Sequence, residues 1–223
     1  MPLSRKHMSV IGAAAALAVT VPLAAQMAPE KPGARDTARI SGGAYTVDHE
    51  HTLVRWRVDH LGITPYFGLF GQITGNLTLD PKNPAAAKVD VTIPVAQVTT
   101  ASAGLTSHLL RAPQETGGKP DFFGPNPAPA RFVSTAVVPD TAAGTARITG
   151  NLTLNGVTKP VTLNASFYGA AKASAGTGGT EMVGFEATSK IKRSDFGIDM
   201  GIPMVSDEVD LEIVAAFTKG DAK

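Results

Sequence analysis

Apolar and polar residues alternate one for one along most of this chain, and that period admits little other than β-strand. Successive side chains of a strand point to opposite faces, so period two buries one face and wets the other. Val54, Trp56, Val58 and His60 share one face, while Arg55, Arg57 and Asp59 share the other. Phe67, Leu69, Ile73, Leu77 and Leu79 alternate with polar or small residues through the run from Phe67 to Asp80. Val89, Val91, Ile93 and Val95 oppose Asp90 and Thr92, and Val161, Leu163, Ala165 and Phe167 oppose Thr162, Asn164 and Ser166. Val183, Phe185, Ala187 and Ile191 make a further row, as do Val209, Leu211, Ile213, Ala215 and Phe217; Phe132, Ser134, Ala136 and Val138 alternate only weakly.

About eight antiparallel strands with one apolar face each must hide those faces together, and closing the sheet also removes its aggregation-prone edges. The expected fold class is therefore all-β, a closed barrel. A two-sheet sandwich fits the same alternation. Strand length favours the barrel, because the runs Phe67–Asp80 and Met182–Lys192 exceed the usual strand. Asn155-Gly156 marks a tight hairpin, since both residues tolerate positive φ. The exception to the strand period is Ala103–Arg111, where Leu105, Leu109 and Leu110 suit a short helix that can act as a lid.

The stretch ITGNLTL occurs twice, at Ile73–Leu79 and Ile148–Leu154. In both copies Ile, Gly, Leu and Leu share one face, which suits two barrel strands with Gly75 and Gly150 leaving room inside. Asn76 and Asn151 begin glycosylation sequons, but both fall within predicted strands.

The ends of the chain read differently. Arg5, Lys6 and His7 precede the apolar run Met8–Leu23, and Ala24 and Ala25 follow, the pattern of a secretory signal peptide over residues 1–25. An uncleaved anchor is the alternative, but the apolar run is short and broken by Pro22. Residues 26–43, rich in Pro, Gly and Ala, read as a flexible linker, leaving one domain over residues 44–219. The processed protein is expected to be exported, soluble and without stable membrane insertion.

Composition removes several function classes. Lys and Arg number 20 against 19 Asp and Glu, so no basic surface is available to neutralise nucleic-acid phosphates. The chain has no cysteine, which excludes disulfides and thiolate metal sites. No phosphate-cradling loop, dinucleotide fingerprint, nucleophile elbow or HExxH motif is present. His49, Glu50 and His51 lie close together, but their spacing imposes no tetrahedral site, so no metal is expected. His60 ends an apolar row and reads as a buried imidazole bonded to backbone or to a ligand head group. Ser194 or Asp195 reads as the cap of a short helix, and Gly197 as its positive-φ terminator.

Several of these stretches occur together in a known order. Tyr45–Asp48 with His51, VDHLGI at Val58–Ile63, Gly68 with Phe70, SHL at Ser107–Leu109, DFF at Asp121–Phe123, RFVS at Arg131–Ser134, GNLTLNGVTKPVTL at Gly150–Leu163, RSDFGI at Arg193–Ile198 and DEVDLEI at Asp207–Ile213 resemble the YceI-like family of polyisoprenoid-binding periplasmic proteins. The resemblance spans Ala44–Thr218 and implies an extended antiparallel, eight-stranded, lipocalin-like barrel. Its lumen would hold a long isoprenoid or other lipid chain of quinone or polyprenyl type, with no catalytic reaction and no other cofactor. One departure is the insertion at Arg111–Pro120, between the SHL and DFF stretches.

An isoprenoid carries no charge along its chain, so its site should be an apolar tunnel with few polar groups near one end. The lumen candidates are Trp56, Val58, Phe67, Leu69, Ile73, Leu77, Phe132, Phe167 and Phe185, with His60 beside the head group and Phe122, Phe123 and Phe196 near the openings. Phe70 points outward on strict alternation unless a bulge lies around Gly68 or Gly71. Two other classes fit the sequence: a secreted hydrolase or isomerase using His60 or His108 as base with Asp195, and a stress-response module that binds no lipid. The oligomeric state is not fixed, and a homodimer is allowed.

Overall fold

The computed structural model describes residues 30–220, so the expected signal peptide and the first part of the expected linker lie outside the described residues. Ten strands form one antiparallel sheet: β1 (Gly43–Val47), β2 (Leu53–His60), β3 (Thr64–Phe70), β4 (Thr74–Leu79), β5 (Lys88–Ile93), β6 (Ala130–Asp140), β7 (Thr145–Leu154), β8 (Val157–Ala171), β9 (Met182–Lys192) and β10 (Glu208–Lys219). β1 pairs with both β4 and β10, and β4 through β10 follow in chain order, so eight strands close into a barrel. β2 continues where β1 leaves off, pairing Leu53–Arg57 with Val214–Asp210, and β3 folds back on β2 before leading into β4. The barrel thus has eight staves, two of which are interrupted.

The interruption between β3 and β4 reverses which residues face inward. Gln72 takes φ 55°, and the run Phe67–Asp80, expected as one strand, is divided at Gly71–Ile73. Ile73, Leu77 and Leu79 face the interior as the alternation requires, whereas upstream of the break Tyr66 and Phe70 face in and Phe67 and Leu69 face out. A second shift lies in β6, where the register slips between Ser134 and Ala136. One extra residue there moves Val137 and Pro139 to the interior and leaves Val138 exposed, which accounts for the weak alternation of this strand. A third slip, between Phe167 and Gly169, brings Ala170 to the buried face opposite Val183, while Tyr168 stays outward as the alternation requires.

The two ITGNLTL copies use glycine for different reasons. At Gly150 an added Cβ would lie 2.4 Å from the Phe132 ring, so the missing side chain makes room for an inward-pointing aromatic, as expected. Gly75 instead has φ 140°, and an added Cβ would meet the Asp90 carbonyl at 2.2 Å; it permits close strand approach rather than widening the lumen. Gly150→Ala should therefore cost about 1–3 kcal/mol through overpacking against Phe132, read as a lower urea midpoint with unchanged slope. Downstream of the second copy, Leu154 pairs with Val157 across Asn155 and Gly156, at φ 51° and 77°, the expected tight hairpin.

Helix α1 (Ala103–Leu109) occupies the β5–β6 connection, with the Ser102 hydroxyl accepting from the Leu105 amide at 3.2 Å. The other end of the barrel is covered by residues expected to be linker. Ala34 and Ala170 exchange backbone hydrogen bonds of 3.0 and 2.9 Å, and Asp36 caps a single turn at Thr37–Arg39. Composition alone hides this order, because its bonds are made to a distant strand. At the same end Tyr45 is fully buried and donates to Glu181 at 2.5 Å, while the Gly42 amide donates to the Tyr45 hydroxyl. Burial, then the bond to the Glu181 carboxylate, pushes the Tyr45 phenol up to about 12.

Candidate functional site

The inward side chains do not fill the barrel. Buried apolar residues gather into two clusters, one around Tyr45, Leu77, Phe167 and Phe217, the other around Val95, Phe132, Leu152 and Phe196. They leave an internal cavity of about 890 Å³, toward the upper end of the roughly 300–1,000 Å³ typical of small-molecule sites. The cavity runs the length of the barrel, from His60, Met200 and the underside of α1 at one end to Thr37, Pro81 and Asp140 at the other.

Its walls come from the apolar rows of the strands. Trp56, Val58 and His60 line it from β2, Ile73 and Leu77 from the β3–β4 stave, Phe132 from β6, Phe167 from β8 and Phe185 from β9. Phe167, Phe185 and Phe217 meet edge to face, with ring centroids 6.0 and 6.2 Å apart. Phe122 and Phe123 reach the cavity from beyond α1, and Phe123 contacts Phe70 edge to face at 6.0 Å.

Two of the expected lumen residues and one expected near an opening lie elsewhere. Phe67 and Leu69 are on the outer face because of the break at Gln72, and the Arg55 guanidinium sits 5.4 Å from the Phe67 ring centre. Phe196 is fully buried but belongs to the wall beside Leu152, outside the cavity, with its carbonyl accepting from Asn155 at 3.0 Å. Sequence reasoning missed Tyr66, Leu105, Leu109, Val137, Met200 and Val205, all of which line the cavity. Tyr66 and Val137 follow from the two register breaks, Leu105 and Leu109 share one face of α1, and Met200 and Val205 sit in a connection, where no period marks a face.

Charge is almost absent from the walls. Among the lining residues only His60, His108, Asp140 and Arg193 carry an acidic, basic or imidazole group. Arg193 is 6% exposed, and its guanidinium donates to the carbonyls of Ser206, Met200 and Val205 at 2.8 Å each and of Ile198 at 3.4 Å. This is the local role of the RSDFGI stretch: the arginine gathers the connection that follows it. Burial lowers the Arg193 pKa, opposed by the charges of Asp207 and Asp199. The short helical turn over Arg193–Phe196 ends at Gly197 with φ 72°, as expected, but Asp207 secures its start by accepting from the Ser194 amide and hydroxyl. Among the described residues, the buried indole nitrogen of Trp56 has no hydrogen-bond partner.

The SHL and DFF stretches come together as a latch. His108 Nε2 lies 2.7 Å from Asp121 Oδ2, Arg111 donates to the same oxygen at 2.6 Å, and the Phe122 ring stands edge-on to the His108 imidazole. The Phe123 amide donates to the Leu109 carbonyl at 3.0 Å. The insertion at Arg111–Pro120 therefore loops away from a joined base, and none of its residues lines the cavity. The hydrogen bond from His108, then that from Arg111, holds the Asp121 carboxyl below the usual carboxylate range. A folded-state pKa below the unfolded one stabilises the latch above the unfolded value, near 4, and that stabilisation is lost as pH falls through the folded value. The latch should hold at neutral and mildly acid pH and loosen below about pH 4. Hydrogen exchange at the Phe123 amide along a pH series checks this, and Asp121→Asn should remove the acid step.

The chemistry expected of other readings finds little geometry. Among the described residues no cluster of His, Cys, Asp or Glu is placed to hold a metal ion, and His51 instead pairs with Asp48 at 2.7 Å. Asp195 makes no hydrogen bond to His60 or His108, and among the described residues no histidine nitrogen bonds a Ser or Thr hydroxyl.

A barrel closed by eight staves around an apolar lumen, with the SHL and DFF stretches latched over one end, matches known proteins. A family model for the YceI-like domain matches residues 45–217, and the chain belongs to that family. Protein YceI of Shigella flexneri is 42% identical over 172 residues, covering 76% of this chain and 83% of that protein. The crystal structure of BcnA from Burkholderia cenocepacia superposes with TM-score 0.60 at 25% identity, over 76% of this chain and 98% of that one. A polyisoprenoid-binding domain from Saccharophagus degradans, implicated in plant cell wall breakdown, shares the fold with TM-score 0.53 at 16% identity, over 79% of this chain and 98% of that domain.

Proposed function

We propose that the protein is an exported, non-catalytic binding protein that holds one long isoprenoid or similar lipid chain, of quinone or polyprenyl type, in the barrel lumen. The observation that carries this reading is the continuous apolar cavity, about 890 Å³, running the length of the barrel. Each methylene brought into such a cavity contributes about 0.8 kcal/mol, so a chain of many carbons binds through burial alone, less the cost of ordering it. The S. degradans polyisoprenoid-binding domain, which has the same fold, supports the choice of chain. Trp56, Val58, His60, Ile73, Leu77, Phe122, Phe123, Phe132, Phe167 and Phe185 would contact it. Export to the periplasm rests on the basic residues and apolar run of residues 5–25.

Native mass spectrometry of protein purified from its own host tests the reading. The expected spectrum shows the chain with one bound lipid, released as an isoprenoid on activation. A spectrum of bare protein from every compartment and growth condition would contradict it.

A further inference from the structure

The end of the barrel nearest His60 carries an apolar surface that the lumen does not explain. Two chain reversals meet there, the β2–β3 turn and the connection between Gly197 and Glu208. His60 pairs with Val205, the Leu61 amide donates to the Met204 carbonyl at 2.7 Å, and the Ser206 amide donates to the Asp59 carbonyl at 3.0 Å. Arg193 gathers the carbonyls of Ile198, Met200, Val205 and Ser206 from within. Leu61 is 50% exposed, Ile63 79%, Met200 40%, Ile202 36% and Met204 61%. These are most of the exposed large apolar side chains at this end, and they sit on a tip tied together by backbone hydrogen bonds.

The tip is also wall. Met200, Gly201, Val205 and His60 line the cavity, so one loop presents an apolar inner surface and an apolar outer one. The charges within it are engaged: Asp199 pairs with Lys119 at 3.1 Å, and Asp59 accepts from the Gly62 amide at 2.6 Å.

We infer that this tip inserts into the surface of a lipid bilayer and that the bound chain passes between membrane and lumen there. The inference rests on the reading of the lumen as a lipid site. An apolar chain crossing water pays for each exposed methylene, whereas Met200 and its neighbours offer continuous apolar contact from wall to rim. The occupant is a membrane rather than a second copy of the chain, because five side chains on two loop tips fall far short of the roughly 20–30 residues per side of a stable protein interface. With no free cation in the tip, attachment should depend on apolar insertion and little on anionic lipid or salt.

The experiment uses the processed protein as its host produces it, stripped of lipid, beside Ile63→Glu/Met204→Glu. Both positions are exposed, and circular dichroism confirms that the variant keeps its fold. The wild type should float with phosphatidylcholine vesicles, equally in low and high salt, and should draw a fluorescent polyprenol from them. The variant should lose vesicle attachment and transfer at least tenfold, while taking up short-chain prenol dispersed without vesicles as well as the wild type does. Equal flotation of the two proteins, or transfer unchanged in the variant, would overturn the inference, as would a wild type that dimerises through the tip and ignores vesicles. Failure of the wild type to take up dispersed prenol, read in the arm without vesicles, would overturn the lumen reading instead.

Discussion

Ala187→Trp should give a folded protein that leaves its host empty. Ala187 lies on β9, paired with Ile213 on one side and Ala165 on the other, and its methyl faces the cavity. Ala165 on the neighbouring stave is equally small. An indole projecting from Ala187 occupies the path a chain must follow, while open space receives the ring without the strain of overpacking. Retention of lipid should fall at least a hundredfold, by extraction and mass spectrometry, with the thermal transition shifted by only a few degrees. Tyr168→Trp, on the outer face of β8, is the matching control and should retain lipid normally.

Arg193→Met should be the most damaging single substitution in the connection before β10. Methionine fills a similar volume but donates nothing, leaving the carbonyls of Ser206, Met200 and Val205 without their common partner. Buried acceptors left unpaired cost about 1–3 kcal/mol each. A loss of at least ~3 kcal/mol follows, lowering the midpoint of thermal unfolding by roughly 10 °C in a chain of this size. Arg193→Lys should recover only part, since an ammonium cannot reach carbonyls spread around a planar fork. Equal stability of the Met variant and the wild type would show that the connection is held by something else.

The strand rows of β2, β5, β9 and β10, and of β8 as far as Phe167, were legible because their alternation is uninterrupted and each row meets one environment. The latch could be read as two separate stretches, SHL and DFF, but not as a pair, since their contact depends on a chain reversal around the insertion. Phe67 and Leu69 show where the reading fails. A single left-handed residue, Gln72, changes the parity of everything before it, and residue type does not announce it. The bulge in β6 acts in the same way, exchanging Val138 for Val137. Phe196 was placed near an opening on the strength of its turn, whereas burial against the cluster around Leu152 decided its position. Residues 31–42 gave no periodic signal, yet they pack on the barrel through backbone bonds that composition cannot encode.

Trp56 is the chain's single tryptophan and lines the cavity, so its fluorescence reports what enters. Titrating the stripped protein with a long-chain isoprenoid quinone should quench this signal saturably at one equivalent, and Ala187→Trp should take up no quinone by equilibrium extraction. A wild-type signal that does not saturate, with no quinone retained after gel filtration, would contradict a lipid-holding lumen.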